Sequence, residues 1–100
     1  MAVVMRMEWP EVTAEQYEQA RAMVHWENDV PDGAIFHVAF FDAGGFKVID
    51  VWDSEEQFNT FLQNRLGPAV EQIGIEGQPK VDFIEAQAVF NPQALAAAGA

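Results

Sequence analysis

The chain has 100 residues, half of them hydrophobic, and its 16 acidic and 5 basic side chains give a formal net charge of −11. This length suits a single domain, and the negative charge, without any cluster of Lys or Arg, argues against nucleic acid or an anionic membrane as a partner. The absence of cysteine excludes disulfides and thiol chemistry, and no apolar run approaches the roughly 20 residues of a membrane-spanning helix, so a cytoplasmic protein is expected.

The first two predicted elements are a strand and a helix. Residues 2–8 are rich in Val and Met and predict a strand, which Pro10 ends because proline has no N–H to donate. Thr13 and Gln16 have the spacing of a capping box, in which the hydroxyl accepts from an amide while the glutamine reaches back. The apolar positions that follow predict a helix to about Trp26.

A hairpin and a second helix follow. Residues 34–41 and 46–52 predict two strands, and the intervening residues 42–45 contain a glycine pair that favours a tight turn. Ser54 and Gln57 repeat the capping pattern and predict the start of the second helix.

The last third of the chain predicts one more strand. Gly67-Pro68 is expected to interrupt the second helix, with residues 69–73 adding a short turn. Residues 81–90 predict the final strand, which Asn91-Pro92 ends. The βαββαβ order predicts an α+β domain over residues 1–92, with one antiparallel sheet and both helices on one face, followed by a frayed tail over residues 93–100.

Both faces of the predicted hairpin are apolar. One face carries Phe36, Val38, Phe40, Ile49 and Val51, and the other carries Ile35, Ala39, Phe41, Phe46, Val48 and Trp52. Two short helices cover only one side of a sheet, and soluble monomers rarely leave a large apolar patch exposed. A homodimer, in which a second copy covers the remaining face, is therefore expected. The alternative is that the C-terminal tail folds across that face.

The hairpin register brings together one group of residues that could carry chemistry. A two-residue loop at Gly44-Gly45 places His37 opposite Trp52, whereas a four-residue loop over residues 42–45 places it opposite Asp50. In both registers His37, Asp50 and Trp52 share one face of the sheet, and a three-residue loop would separate them. A histidine oriented by a carboxylate is a candidate general base. The alternative is a hydrogen bond that only satisfies two buried polar groups.

Three other polar residues are further candidates. Tyr17 lies on the apolar stripe of the first helix, from which its hydroxyl can reach a cavity. His25 lies near the C-terminal end of that helix, where a partly exposed histidine interacts with the helix dipole. Arg65 either binds an anionic substrate or caps the end of a helix. Neither metal-ligand spacing nor a phosphate-binding glycine loop is found, so no cofactor and no metal are expected.

The segment that joins the hairpin to the second helix resembles a known family. It reads Val51-Trp52-Asp53-Ser54-Glu55-Glu56, followed by Phe58 and Phe61, and is similar to the VWxSEExFxxF signature of dimeric α+β barrel proteins, a superfamily that includes the antibiotic-biosynthesis-type monooxygenases. The resemblance implies ferredoxin-like subunits whose two sheets pack face to face, with a ligand cavity between sheet and helices. It also implies that Trp52 lines that cavity.

The resemblance leaves the activity open, because this fold hosts many functions. Members oxidise quinols or polyketides without a cofactor, degrade haem, isomerise or decarboxylate. Haem-degrading members use a His on the second helix and an Asn on the first strand, and this chain has neither. The sequence predicts a small apolar or aromatic ligand beside His37, Asp50, Trp52 and Tyr17. Three alternatives stay open: a cofactor-independent monooxygenase acting on a quinol- or polyketide-like aromatic, a non-catalytic binding or structural dimer, and a cofactor-free isomerase or decarboxylase.

Overall fold

A computed structural model describes residues 1–92 of the chain. The strands are β1 (Val3–Trp9), β2 (Ala34–Asp42), β3 (Gly45–Trp52) and β4 (Lys80–Glu85). The helices are α1 (Ala14–Val24), α2 (Glu55–Phe61) and α3 (Gly67–Ile73), and a π-helical turn over Leu62–Leu66 joins α2 to α3. None of the helices in this described part combines the length and the apolarity that crossing a bilayer demands.

The four strands form one antiparallel sheet in the order β2-β3-β1-β4. The helices pack on one of its faces and enclose the core with it. The core residues are Met5, Met7, Trp9, Val12, Phe46, Val48, Trp52 and Phe58. The predicted α+β, ferredoxin-like arrangement is confirmed.

Helix α1 begins as predicted and ends two residues earlier than expected. Thr13 Oγ1 accepts from Gln16 N at 3.1 Å, and Gln16 Oε1 accepts from Thr13 N at 3.0 Å, which completes the capping box. The helix ends at Val24 instead of Trp26 because His25 adopts a left-handed conformation with φ of 58°. This turn breaks the regular backbone path and directs Trp26 toward the sheet.

The β2–β3 hairpin has the register that places His37 opposite Asp50. This is the register predicted for a four-residue loop. The strands continue by one further pair, Asp42 with Gly45, so the turn consists of Ala43 and Gly44. Gly45 has a φ of 103°, in the region that favours glycine, and a Cβ atom placed on it would lie 3.1 Å from Pro10 Cα.

The α-helix that starts after Ser54 is interrupted near Gly67-Pro68, as predicted, by a π turn over Leu62–Leu66, and a further helix runs to Ile73. Gly67 N donates to Leu62 O, five residues back, and so closes a π turn. A Cβ atom on Gly67 would lie 2.8 Å from that carbonyl oxygen, so the turn requires glycine. The wider turn also accommodates Pro68, which has no N–H to donate to a regular helical ladder.

Strand β4 ends at Glu85, so the prediction of a strand to residue 90 is wrong beyond that point. The strand pairs with β1, whose first paired residue, Val3, lies opposite Glu85. One further backbone hydrogen bond, from Ala86 N to Ala2 O at 2.9 Å, ends the pairing. Beyond this bond β4 has no further residues of β1 to pair with, because β1 begins at Val3. The predicted frayed tail, residues 93–100, and the alternative that it covers the sheet lie outside the described residues.

The second face of the sheet is open and apolar, as the hairpin pattern predicts. Its exposed hydrophobic residues are Phe36, Val38, Phe40, Ile49 and Ile84, which we call the open face. Arg6 and Asp82 form an ion pair across this face, with 2.7 Å between Nη2 and Oδ2. No helix among the described residues covers it.

Candidate active site

A cavity of about 250 Å³ lies between the sheet and the helices. Most of its lining is apolar and comes from the three strands β1 to β3, the helices and the loop after α1. Val30, on the loop after α1, lines the cavity and is 63 % exposed, which places the mouth of the cavity beside that loop. The volume exceeds the roughly 150 Å³ of an engineered cavity that takes up benzene, so it suits an aromatic ligand of one or two rings.

His37 and Asp50 meet on the wall of this cavity. They are directly opposite in the β2–β3 ladder, and His37 Nδ1 lies 2.6 Å from Asp50 Oδ1. Asp50 is buried, with 5 % of its surface exposed, whereas a third of the His37 side chain is exposed. A buried carboxylate that holds an accessible imidazole is an arrangement that orients a general base.

Trp52 binds the other oxygen of the same carboxylate. Its Nε1 donates to Asp50 Oδ2 at 3.0 Å, and the two side chains share a face of β3 because they are two residues apart. The Trp52 ring also packs against Phe58 and Phe61 of α2, with centroid separations of 5.5 Å in both cases. These contacts fix the indole, and the indole in turn fixes the carboxylate.

Tyr17 reaches the group from helix α1. Its Oη lies 2.8 Å from His37 Nε2, and the two rings are stacked with an interplanar angle of 10°. Phe46 packs against the Tyr17 ring with the centroids 5.4 Å apart. Burial raises the pKa of the Tyr17 hydroxyl, and the nearby Arg21 opposes this in part. The hydroxyl therefore keeps its proton at neutral pH.

For a neutral His37 beside an ionised Asp50, the direction of each hydrogen bond in this group follows from the chemistry of its members. An indole N–H only donates and an ionised carboxylate only accepts, so Asp50 takes one hydrogen from Trp52 and one from His37 Nδ1. A neutral imidazole with its hydrogen on Nδ1 has an acceptor at Nε2, and the Tyr17 hydroxyl donates to it. The result is a continuous chain from Tyr17 through His37 to Asp50.

Sequence reasoning missed Trp26, whose ring packs against both His37 and Tyr17. The centroid separations are 5.4 Å and 5.9 Å. In a continuous helix Trp26, nine residues after Tyr17, would face about 180° away from it. The left-handed turn at His25 reverses this, and no pattern in the sequence marks a left-handed turn at a histidine.

The loop after α1 closes one side of the cavity and is held by two arginines. Arg21 forms an ion pair with Glu27, which lines the cavity, and the guanidinium holds the pKa of that carboxyl below its usual range. Arg65 Nη2 donates to Val24 O at 2.9 Å and to Asp29 O at 2.8 Å. Arg65 thus caps the end of α1. Of the two roles predicted for this residue, the structure shows helix capping and not the binding of an anionic substrate.

The four residues predicted for the site lie together. His37, Asp50, Trp52 and Tyr17 all line the cavity and form one hydrogen-bonded group, whereas His25 does not line it. Within residues 1–92 no three His, Asp or Glu side chains are grouped in a way that could hold a metal ion. The roles assigned to the four residues stay predictions.

Comparison with known proteins identifies the fold. Neither a protein-family model nor a curated protein matches the chain. Similar solved structures include a protein of unknown function from Nitrosomonas europaea, with 17 % identity over 91 % of this chain and 92 % of that one and a TM-score of 0.62. A variant of SnoaB, a cofactor-independent oxygenase from Streptomyces nogalater, has 12 % identity over 88 % and 94 % of the two chains and a TM-score of 0.61. A dimeric ferredoxin-like protein of unknown function from Thermobifida fusca has 15 % identity over 86 % and 92 %, with a TM-score of 0.62.

Proposed function

We propose that the chain binds a quinol- or polyketide-like aromatic hydroxyl compound in the cavity and oxidises it with dioxygen, without a cofactor. In this proposal His37 is the base that receives the hydroxyl proton, Asp50 orients His37, and Trp52 and Tyr17 bind the substrate. The observation that carries it is the 2.6 Å contact between His37 and Asp50 on the wall of a largely apolar cavity.

The burial of Asp50 favours a role in proton transfer. It is the one buried charged residue among the described ones, and a buried carboxylate costs several kcal/mol unless it is paired. When His37 accepts a proton, the imidazolium forms in direct contact with this negative charge. Asp50 therefore stabilises the product of proton transfer more than the neutral starting state, which is what accelerates deprotonation.

Deprotonation prepares an aromatic ring for direct reaction with dioxygen. The aryloxide donates electrons to dioxygen, a ring carbon forms a bond to oxygen, and loss of water from the resulting hydroperoxide leaves a quinone. One 1-naphthol and one dioxygen thus give one 1,4-naphthoquinone and one water, and the substrate supplies all the electrons. The apolar walls keep water from the anion. The similarity in fold to a cofactor-independent oxygenase supports this choice of chemistry.

The proposal includes a homodimer formed through the open face. The large apolar side chains of this face are 37–56 % exposed, and burying what remains exposed gains about 0.5–1.5 kcal/mol for each of them. A second copy covers the face with closed two-fold symmetry, and no other element among the described residues is available to do so. The similarity to the dimeric protein from Thermobifida fusca supports this assembly.

Oxygen consumption with 1-naphthol tests the proposed activity. We expect His37→Ala to lower the rate at least about 100-fold, because the base is lost. His25→Asn is the matched control: it changes the other histidine of the chain, which does not line the cavity, to a residue that tolerates the left-handed conformation. It should leave both the rate and the melting temperature unchanged. His37→Ala also lowers the melting temperature, because the buried Asp50 loses one of its partners, so its rate is measured at a temperature where it is folded.

Three outcomes would contradict the proposal. A rate that survives His37→Ala removes the histidine from the reaction. Turnover that persists without oxygen selects a cofactor-free isomerase or decarboxylase. Binding of 1-naphthol without any oxygen uptake selects the non-catalytic binding dimer.

A further inference from the structure

Both ring nitrogens of His37 are already engaged by the protein. Nδ1 donates to Asp50 at 2.6 Å, and Nε2 accepts from the Tyr17 hydroxyl at 2.8 Å. A ligand therefore cannot hand a proton directly to the imidazole unless it first displaces Tyr17. Tyr17 is held in place, since Phe46 and Trp26 pack against its ring at 5.4 Å and 5.9 Å.

The Tyr17 oxygen has unused capacity on the ligand side. A phenol oxygen carries one hydrogen and two acceptor lone pairs, and the hydrogen of Tyr17 is directed to His37. What this hydroxyl offers the cavity is therefore an acceptor. An acceptor at this point binds the hydroxyl group of a ligand and not its carbonyl.

We infer that Tyr17 is a catalytic residue which takes the proton of the ligand hydroxyl while it passes its own proton to His37. The O–H bond of the ligand breaks as a new O–H bond forms on Tyr17 Oη, and the old Tyr17 O–H bond breaks as Nε2 of His37 gains its hydrogen. The products are a bound aryloxide, a neutral Tyr17, and an imidazolium held by Asp50. This inference rests on the proposed binding of an aromatic hydroxyl compound.

The charges around the cavity also restrict the ligand to a neutral molecule. Among the described residues the acidic side chains that line it are Glu27 and Asp50, and neither Lys nor Arg lines it. A carboxylate or phosphate on the ligand would lose its water without gaining a cation, which is costly in an apolar site. The ligand class is thus a neutral phenol or enol that becomes an anion only after it binds.

The test uses 4-nitrophenol as the probe, because its anion is yellow and its neutral form is colourless. With the wild-type protein we expect the bound probe to be more ionised than the probe in solution at the same pH. Tyr17→Phe keeps the ring and removes the acceptor, so the ionised fraction of the bound probe should fall at least tenfold. 4-Nitroanisole, which has no hydroxyl, is the control for binding and should bind both proteins alike; 4-nitrobenzoate should bind at least tenfold more weakly.

A second measurement does not depend on a variant. Tyr17 is the only tyrosine of the chain, so biosynthetic 3-fluorotyrosine places a single fluorine label beside the proposed acceptor. Its resonance should shift further with 4-nitrophenol, which has the hydroxyl, than with 4-nitroanisole, which only places a ring beside it.

The outcomes separate this inference from the proposed oxidation. Unchanged ionisation in Tyr17→Phe, or equal fluorine shifts with both probes, would show that His37 is reached directly, and Tyr17 would lose its role. Tyr17-dependent ionisation in a protein that consumes no oxygen would support the relay and overturn the oxidation. Failure of both probes to bind would overturn both.

Discussion

Asp50 faces His37 across the β2–β3 ladder and divides its two oxygens between His37 Nδ1 and Trp52 Nε1. The relationship depends on whether the hairpin loop has an even or an odd number of residues. A shift of the strand register by one residue would turn the His37 side chain to the open face. The turn that sets this register is therefore part of the site, although it lies at the far end of the two strands. The first prediction concerns this turn.

Gly45→Ala should destabilise the hairpin more than Gly44→Ala. Gly45 has a φ of 103°, and a Cβ atom there would meet Pro10 Cα at 3.1 Å, whereas at Gly44 the nearest atom is the mobile end of Lys47. A strained non-glycine residue costs about 1–3 kcal/mol. Urea unfolding of the two variants measures the difference. Equal losses would mean that the turn does not need glycine at this position.

Asp50→Asn should weaken the protein and change the histidine tautomer. An amide offers one oxygen, and this stays with Trp52 because an indole N–H only donates. The N–H₂ group then faces His37 Nδ1, which must become an acceptor, and the loss of the two hydrogen bonds to a charged group costs about 1–3 kcal/mol. Thermal unfolding and nitrogen NMR of the imidazole measure the two effects. Asp53→Asn, at an exposed carboxylate just after β3, is the control and should change neither. If the hydrogen stays on His37 Nδ1 in Asp50→Asn, the hydrogen-bond directions assigned from Tyr17 through His37 to Asp50 are contradicted.

Val38→Lys should convert the proposed dimer into a folded monomer. Val38 lies on the open face and is 39 % exposed, and Met23 on α1 is matched to it at 40 % exposed. A buried, unpaired ammonium is unfavourable at an interface, so sedimentation should show one subunit for Val38→Lys and two for Met23→Lys. A wild-type protein that sediments as a single subunit at micromolar concentration would remove the dimer from the proposal.

Tyr17 should titrate above its ordinary pKa of about 10 in the folded protein. Burial is the main cause; Glu18, Glu27 and Asp50 act in the same direction and Arg21 opposes them. Because the folded state holds this proton more tightly than the unfolded state, the stabilising contribution is complete below pH 10 and is lost as the pH rises through the raised pKa. The near-ultraviolet absorbance of the single tyrosinate reports the titration directly. Coincident titration curves in buffer and in urea would contradict the expected shift.

Much of the fold was predictable because it follows from local chemistry. The Thr13–Gln16 capping box and the two-residue period of the hairpin strands depend on residues close in sequence. The same period placed His37, Asp50 and Trp52 on one face of the sheet for both the two-residue and the four-residue loop. The structure selects the register with Asp50 opposite His37.

The parts that could not be predicted depend on contacts between distant segments. The end of β4 is set by where β1 begins, through Val3 opposite Glu85, and its own apolar residues suggest a longer strand. The place of Trp26 in the site needs the left-handed turn at His25, which no local pattern in the sequence marks. Arg65 finds its partners, Val24 and Asp29, 41 and 36 residues away from it in sequence, distances that no spacing rule covers.

The π turn at Leu62–Leu66 bears on which changes of length the chain tolerates. A turn closed over five residues, such as the bond from Gly67 to Leu62, contains one residue more than a regular helix needs. Deleting one residue there would restore regular helical bonding and rotate the segments on either side by about 100° relative to each other. Phe58 before the turn and Ala69 after it are both buried, so one of them would leave the core. We expect related chains to conserve the number of residues between these two positions more strictly than the residue types.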